Sequence, residues 1–239
     1  MTVVADLTAL EGYDLVSALE RRFDTVTDDI GVGDRDFSIL RPRNSDALIR
    51  EEDFVLDERL PYWADVWPSS TILAAHFLQL AARPGRGNGS KRGLELGCGV
   101  GVVTTAAMIA GYDMIASDYY TDALAFTRAN AFRITGRSPA ARMIDWRRFP
   151  RDIESLDLII ASDVLYEKEY ARILPGIFKR ALAPGGMVIV ADPGRIGVPD
   201  FVEACNESGL VIRSKDTHPF SVGEINQSID LYEIADVAS

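Results

Sequence analysis

Cysteine and histidine are scarce in this chain of 239 residues, with two of each: Cys98, Cys205, His76 and His218. The cysteines are far apart in sequence and no C-x-x-C occurs, so neither a disulfide framework nor a zinc site is indicated. With so few nitrogen and sulfur ligands, no metal is expected. Long apolar runs are missing too, and nothing approaches the length needed to cross a membrane. The opening Met-Thr-Val-Val-Ala-Asp lacks the basic start of a secretory signal. A reducing cytoplasm is the simplest location. Positive charge is also short, for the net charge is −11. Residues 1–67 hold 16 Asp and Glu against 7 Arg, so most of the excess acid lies there. Such a protein is a poor general binder of phosphate backbones, which argues against general nucleic-acid binding. Residues 128–151 reverse the balance, with seven arginines and one acid. They could form a docking patch, but a solvated helix face and loop is the simpler reading.

What remains is the composition of an ordinary globular protein, 47% hydrophobic and 26% charged. The length suits one core, hence one main domain over 69–239 with an N-terminal extension over 1–68. In the extension, residues 13–23 have helical spacing at Leu15, Ala18, Leu19 and Phe23. Phe37–Arg41 and Ala47–Arg50 look like short strands around the Pro42-Arg-Asn-Ser turn. This piece is too small for its own core and should pack on the main domain as a lid or flank. Pro61-Tyr-Trp-Ala-Asp-Val-Trp-Pro-Ser-Ser70 then leads into a helix from Thr71, with Ser69 or Ser70 as its N-cap. Each tryptophan taken singly suits a core, yet together with Tyr62 they could wall an adenine or a substrate chain. The Arg83-Pro-Gly-Arg-Gly-Asn-Gly-Ser loop marks the way into the main domain.

From Gly93 strand and helix patterns alternate. Apolar strands end in Glu95, Asp118, Asp145, Asp163 and Asp192, with helices expected from Val102, over 121–132, about 169–182 and near 200–208. Alternation of this kind means a parallel sheet covered on both faces. Leu210–Arg213 and Ile229–Ile234 follow one another without a helix signal, which implies an antiparallel edge hairpin. The fold expected is α/β: a Rossmann-like, seven-stranded, mostly parallel sheet with an antiparallel C-terminal hairpin.

The turn Glu95-Leu-Gly-Cys-Gly-Val-Gly101 decides the ligand. Its third glycine stands one place earlier than in the dinucleotide pattern G-x-G-x-x-G, and Val102 fills the expected position. A carboxylate at Glu95 would repel a pyrophosphate and attract an ammonium group. S-Adenosylmethionine (SAM) has an ammonium and a sulfonium and no phosphate, so the turn points to SAM rather than NAD. In open α/β sheets ligands sit beyond the carboxyl ends of the strands, where the five acids collect. Asp118, 23 residues past Glu95, is placed to accept the ribose hydroxyls. Asp145 and Trp146 suit the adenine amino group and ring, and Ser162 begins the loop that should pass the sulfonium. Cys98 is read as packing.

Asp163-Val-Leu-Tyr166 directly follows the fourth strand of this alternation, where an acceptor must meet the methyl group. It is not the Asn-Pro-Pro-Tyr loop used on planar amide or adenine nitrogens. With Trp67-Pro-Ser-Ser and Asp145-Trp146 it resembles the lysine-methylating branch of the seven-stranded class I methyltransferases, whose signature there is D-x-x-Y/F. Pro61-Tyr-Trp-Ala-x-x-Trp-Pro and Ala191-Asp-Pro-Gly-Arg195 look most like the electron-transfer-flavoprotein β-subunit lysine methyltransferases and their bacterial relatives. The long acidic N-terminal piece departs from that pattern. The resemblance implies SAM held among Trp67, Glu95, Gly97, Gly99, Gly101, Asp118, Tyr119, Asp145, Trp146 and Ser162. Asp163 and Tyr166 would hold the acceptor amine, on a protein lysine. A small amine or pyridine metabolite is the alternative acceptor, and a SAM-binding module without transfer is a further one. The oligomeric state is not readable from the sequence.

Overall fold

The computed structural model describes residues 6–49, 60–82 and 91–237. Helix α1 (Gly12–Arg22) carries Leu15, Val16, Ala18 and Leu19 on its buried face. Strands β1 (Thr25–Val32) and β2 (Arg35–Pro42) pair antiparallel as a separate two-stranded sheet. The partner of β2 therefore precedes it, where a strand at Ala47–Arg50 had been expected. Asp46–Leu48 instead forms a single 3-10 turn, and Arg50 lies outside the described residues. β1 is hard to read in sequence because Asp28, Asp29 and Gly31 are weak strand formers. Their pairing across the ladder compensates: Arg41 meets the Asp28 carboxylate at 2.7 Å, and the Ser38 hydroxyl donates to Asp29.

Helix α2 (Pro68–Ala81) starts one residue before the serines expected to cap it. Proline at the first helical position has its ring angle preset and no N–H to leave unpaired. The serines turn elsewhere, Ser70 donating to the Trp67 carbonyl at 2.7 Å and Ser69 to Asp163 at 3.4 Å. The Gly-rich loop expected before the main sheet lies outside the described residues over 83–90.

The alternation that follows is strand β3 (Lys91–Leu96), helix α3 (Val102–Ile109), β4 (Tyr112–Asp118), α4 (Thr121–Thr135) and β5 (Ala140–Met143). Then come β6 (Leu156–Ser162), α5 (Lys168–Ala181), β7 (Leu182–Asp192), α6 (Val198–Glu207), β8 (Leu210–Val222) and β9 (Ile225–Asp236). The sheet order is β5-β4-β3-β6-β7-β9-β8. The first five strands are parallel, and β9 runs antiparallel between β7 and β8. The fold is thus the seven-stranded, Rossmann-like α/β sheet expected, with a longer closing hairpin. Gly136, in the left-handed conformation, ends α4.

Alternate residues of the strands feed two cores, as a sheet buried on both faces requires. Leu158 and Ile160 face α2, α3, α4 and the N-terminal elements; Ile159 and Ala161 face α5 and α6. The N-terminal elements share the first core, with Leu15, Leu19, Phe37, Ile39 and Leu40 at most 2% exposed. Asn130 of α4 fixes their register: it accepts from the Leu40 amide at 2.8 Å and donates to the carbonyls of Leu40 and Val100. The arginines of 128–151 are largely engaged within the chain. Arg128 donates to the carbonyls of Leu7, Thr8 and Leu10, Arg133 to that of Ser38, and Arg142 pairs with Asp152.

Candidate active site

At the carboxyl ends of β3, β4, β5 and β6 the chain leaves a cleft of about 460 Å³. Its floor is the turn after β3. Gly97, Gly99 and Gly101 all have φ between +52° and +88°, where side chains are strained. Space is short as well: a Cβ at Gly101 would stand 2.8 Å from the Thr127 backbone, and one at Gly99 3.1 Å from the Trp63 carbonyl. The Cys98 thiol accepts from the Thr127 hydroxyl at 3.3 Å, and burial pushes its pKa well up, so it is a packing residue.

Asp118 ends β4 and faces this floor. Its two oxygens accept from the amides of Gly99 and Tyr120, each at 3.0 Å. Burial raises its pKa, and those amides pull it back down. Asp145 caps the 3-10 turn Trp146–Arg148, accepting from the Arg147 amide, while the Arg147 guanidinium meets both its oxygens at 3.0 Å. The Trp146 ring lies beside Gly97, where a Cβ would come within 3.5 Å of it.

On the far side Asp163 takes a left-handed conformation, φ +58°, directly after β6. Aspartate tolerates that region better than most residues, and the Asp163 amide is tied to the Ala191 carbonyl at 2.9 Å. Its side chain is 4% exposed, and the Arg195 Nε donates to it at 2.6 Å. Arg195 in turn lies over the Trp67 ring, 5.4 Å from the guanidinium carbon to the ring centre. The turn carrying Arg195 is held by Asp192, whose Oδ1 accepts from the amides of Gly194 and Arg195 at 2.8 and 2.6 Å. Burial raises the Asp192 pKa to about 6.

The cleft therefore gathers Trp67, Gly97, Gly99, Gly101, Asp118, Tyr119, Asp145, Trp146, Ser162, Asp163 and Tyr166. Glu95 is the exception. It is 1% exposed behind the turn and takes the Thr104 hydroxyl of α3 as its partner, and burial raises its pKa to about 8. A carboxyl so placed is largely neutral at pH 7 and braces the turn from behind, in contrast to the direct contact with a ligand's ammonium read from sequence. Tyr62 and Trp63, read from sequence as a candidate wall, also line the cleft, whereas sequence reasoning passed over Tyr170 and gave Arg195 no site role, though both line it. Tyr170 could have been found from its spacing, four residues after Tyr166 at the start of α5, where their rings stand 6.1 Å apart. Arg195 had no such signal.

The chain is similar to known proteins. It is 31% identical over 140 residues to the electron transfer flavoprotein beta subunit lysine methyltransferase of Xenopus laevis, covering 56% of this chain and 53% of that protein. A protein-lysine methyltransferase of Mus musculus is 32% identical over 114 residues, covering 44% and 46%. The chain spans about half the length of these curated relatives. Among solved structures it superposes on a ribosomal-protein methylase from Lactobacillus delbrueckii subsp. bulgaricus with a TM-score of 0.53 at 22% identity, covering 70% of this chain and 78% of that one. The magnesium protoporphyrin IX methyltransferase of Synechocystis, solved with bound SAM, gives 0.54 at 18% identity, covering 69% and 78%. These two show the shared fold. A family profile described as lysine methyltransferase matches residues 58–197, well over half of the chain. The chain belongs to the lysine methyltransferase family.

Proposed function

We propose that this chain is a SAM-dependent methyltransferase that modifies the side-chain nitrogen of a lysine in a protein. One observation carries the reading: an acidic, aromatic cleft lies where the parallel strands end, and among the described residues five carboxyl groups line it against the single cation Arg195. A site of that charge repels phosphates and attracts cations. Its volume is that of a small-molecule site, and the side-chain-free floor at Gly97 and Gly99 admits a ligand close to the backbone. SAM, when bound, supplies a methyl group on sulfur for in-line displacement by a nitrogen.

The residues of this chain then do three things. Asp118, its carboxylate steadied by two amides, accepts the ribose hydroxyls; Trp146 flanks the adenine. The aromatic wall of Tyr62, Trp67, Tyr166 and Tyr170 excludes water and gives an alkylammonium ring faces to lie against. Asp163 aims the acceptor nitrogen; most of the acceleration comes from alignment and desolvation. An amine must lose its proton before attack, and an ordinary lysine has a pKa of about 10.4. Asp163 alone would hold that proton on, so the apolar walls and the sulfonium have to favour the neutral amine. The lysine acceptor is supported by the family profile and by what the curated relatives are named for. Incubation with labelled SAM and a cell extract tests the whole reading. Label in a protein band, recovered as methyl-lysine after hydrolysis, is expected. Label confined to small molecules would instead establish a metabolite amine as acceptor.

A further inference from the structure

We infer that Arg195 is a built-in occupant of the acceptor subsite, a guanidinium that the incoming lysine must displace from Asp163 and Trp67. This rests on the lysine reading above but concerns a residue to which that reading gives no role in holding the acceptor.

Three observations converge. The Asp163 side chain is 4% exposed, and its Oδ1 is taken by Arg195 at 2.6 Å. Among the described residues its other oxygen has only the Ser69 hydroxyl, at 3.4 Å. A carboxylate this buried is costly to leave without a cationic partner, so the slot needs a cation whether or not an acceptor is present. Second, the same guanidinium covers the face of Trp67. Carboxylate below and indole face beside make the combination that recognises an alkylammonium. Third, Arg195 is fixed by its backbone while its side chain is 37% exposed. Its amide is anchored on Asp192, so the turn can stay in place while the side chain swings outward. The cation that leaves Asp163 passes into solvent as another of equal charge enters, and the buried carboxylate stays paired throughout. An uncharged or acidic side chain has no means of making that exchange, so Arg195 also sets selection for cationic acceptors.

Displacement is testable with n-butylammonium, a lysine side-chain mimic, on the whole protein saturated with S-adenosylhomocysteine. Binding needs no turnover, so the result is independent of whether lysine transfer is ever observed. In the wild type, the ¹⁵N signal of the Arg195 Nε–H should move from its carboxylate-bonded position as amine is added. The Arg195→Met variant should bind n-butylammonium at least tenfold more tightly than wild type, a gain that structural damage does not produce. Arg195→Lys should remain near the wild-type affinity, and adding Asp163→Asn to Arg195→Met should abolish the gain. Should Arg195→Met fail to fold, Arg195→Gln, which keeps a donor without the charge, should show the same tightening. An unmoved Nε–H signal at saturating amine, or equal affinities in wild type and the uncharged variants, would overturn the inference.

Discussion

Asp118 commits one oxygen to the Gly99 amide and the other to the Tyr120 amide, whereas Asp163 is held by the side chain of Arg195. The first is anchored by backbone and the second by a partly exposed side chain; in the proposed function they serve the cofactor and the acceptor respectively. Replacing Asp118 with asparagine keeps the shape and removes the charge-assisted acceptor. That should weaken SAM binding by about 1.5–3 kcal/mol, or roughly 10- to 150-fold, as read by calorimetry. Asp163→Ala should abolish methylation while SAM affinity stays within a few-fold; a large loss of SAM binding there would mean its role is misassigned. Glu95 yields a pH prediction. Its pKa rises from the ordinary 4.5 to about 8 on folding because it is buried. Between those values the folded chain holds a proton that the unfolded chain releases, so stability falls as pH rises through that window. Burial shifts Asp192 the same way over a shorter span, up to about 6. Thermal melts at pH 5 to 8 should therefore decline less steeply for Glu95→Gln than for the wild type. Parallel declines would contradict the assignment.

The elements differ in how plainly the sequence announces them. β6 (Leu156–Ser162) carries the apolar run Leu158–Ala161 because both faces are covered there, and a run of that kind followed closely by an acid is visible without coordinates. β1 is not, for its two aspartates and glycine owe their strand conformation to Arg41 and Ser38 across the ladder. Long-range pairing of this sort leaves no local trace. The same holds in the cleft: strand-end acids are periodic landmarks, while Arg195 matters only because the turn after β7 brings it across to Asp163. Glu95 shows the opposite failure, a residue whose position was legible but whose burial was not. Asn130 belongs at this scale because, fully buried, it ties α4 to β2 through two hydrogen bonds and to the turn after β3 through a third. Asn130→Ala leaves an amide and two carbonyls without partners. It should destabilise the chain by about 2–4 kcal/mol, seen as a lower urea midpoint with little change in slope.

Across the whole molecule, charge is sorted by place. The arginines of 128–151 tie the N-terminal elements and surface loops together, and the acids concentrate at the strand ends and in the N-terminal elements. No helix among the described residues is long and apolar enough to cross a membrane. The sheet, its two cores and the docked N-terminal elements thus present one concave, negatively charged surface at the carboxyl edge of the strands. The most direct measurement is isothermal titration of the wild-type chain with SAM and, separately, with NAD. One molecule of SAM per chain, bound with micromolar or tighter affinity and weakened at least tenfold in Asp118→Asn, together with no heat from NAD, is the expected outcome. Binding of the pyrophosphate cofactor, or no heat from SAM, would contradict it.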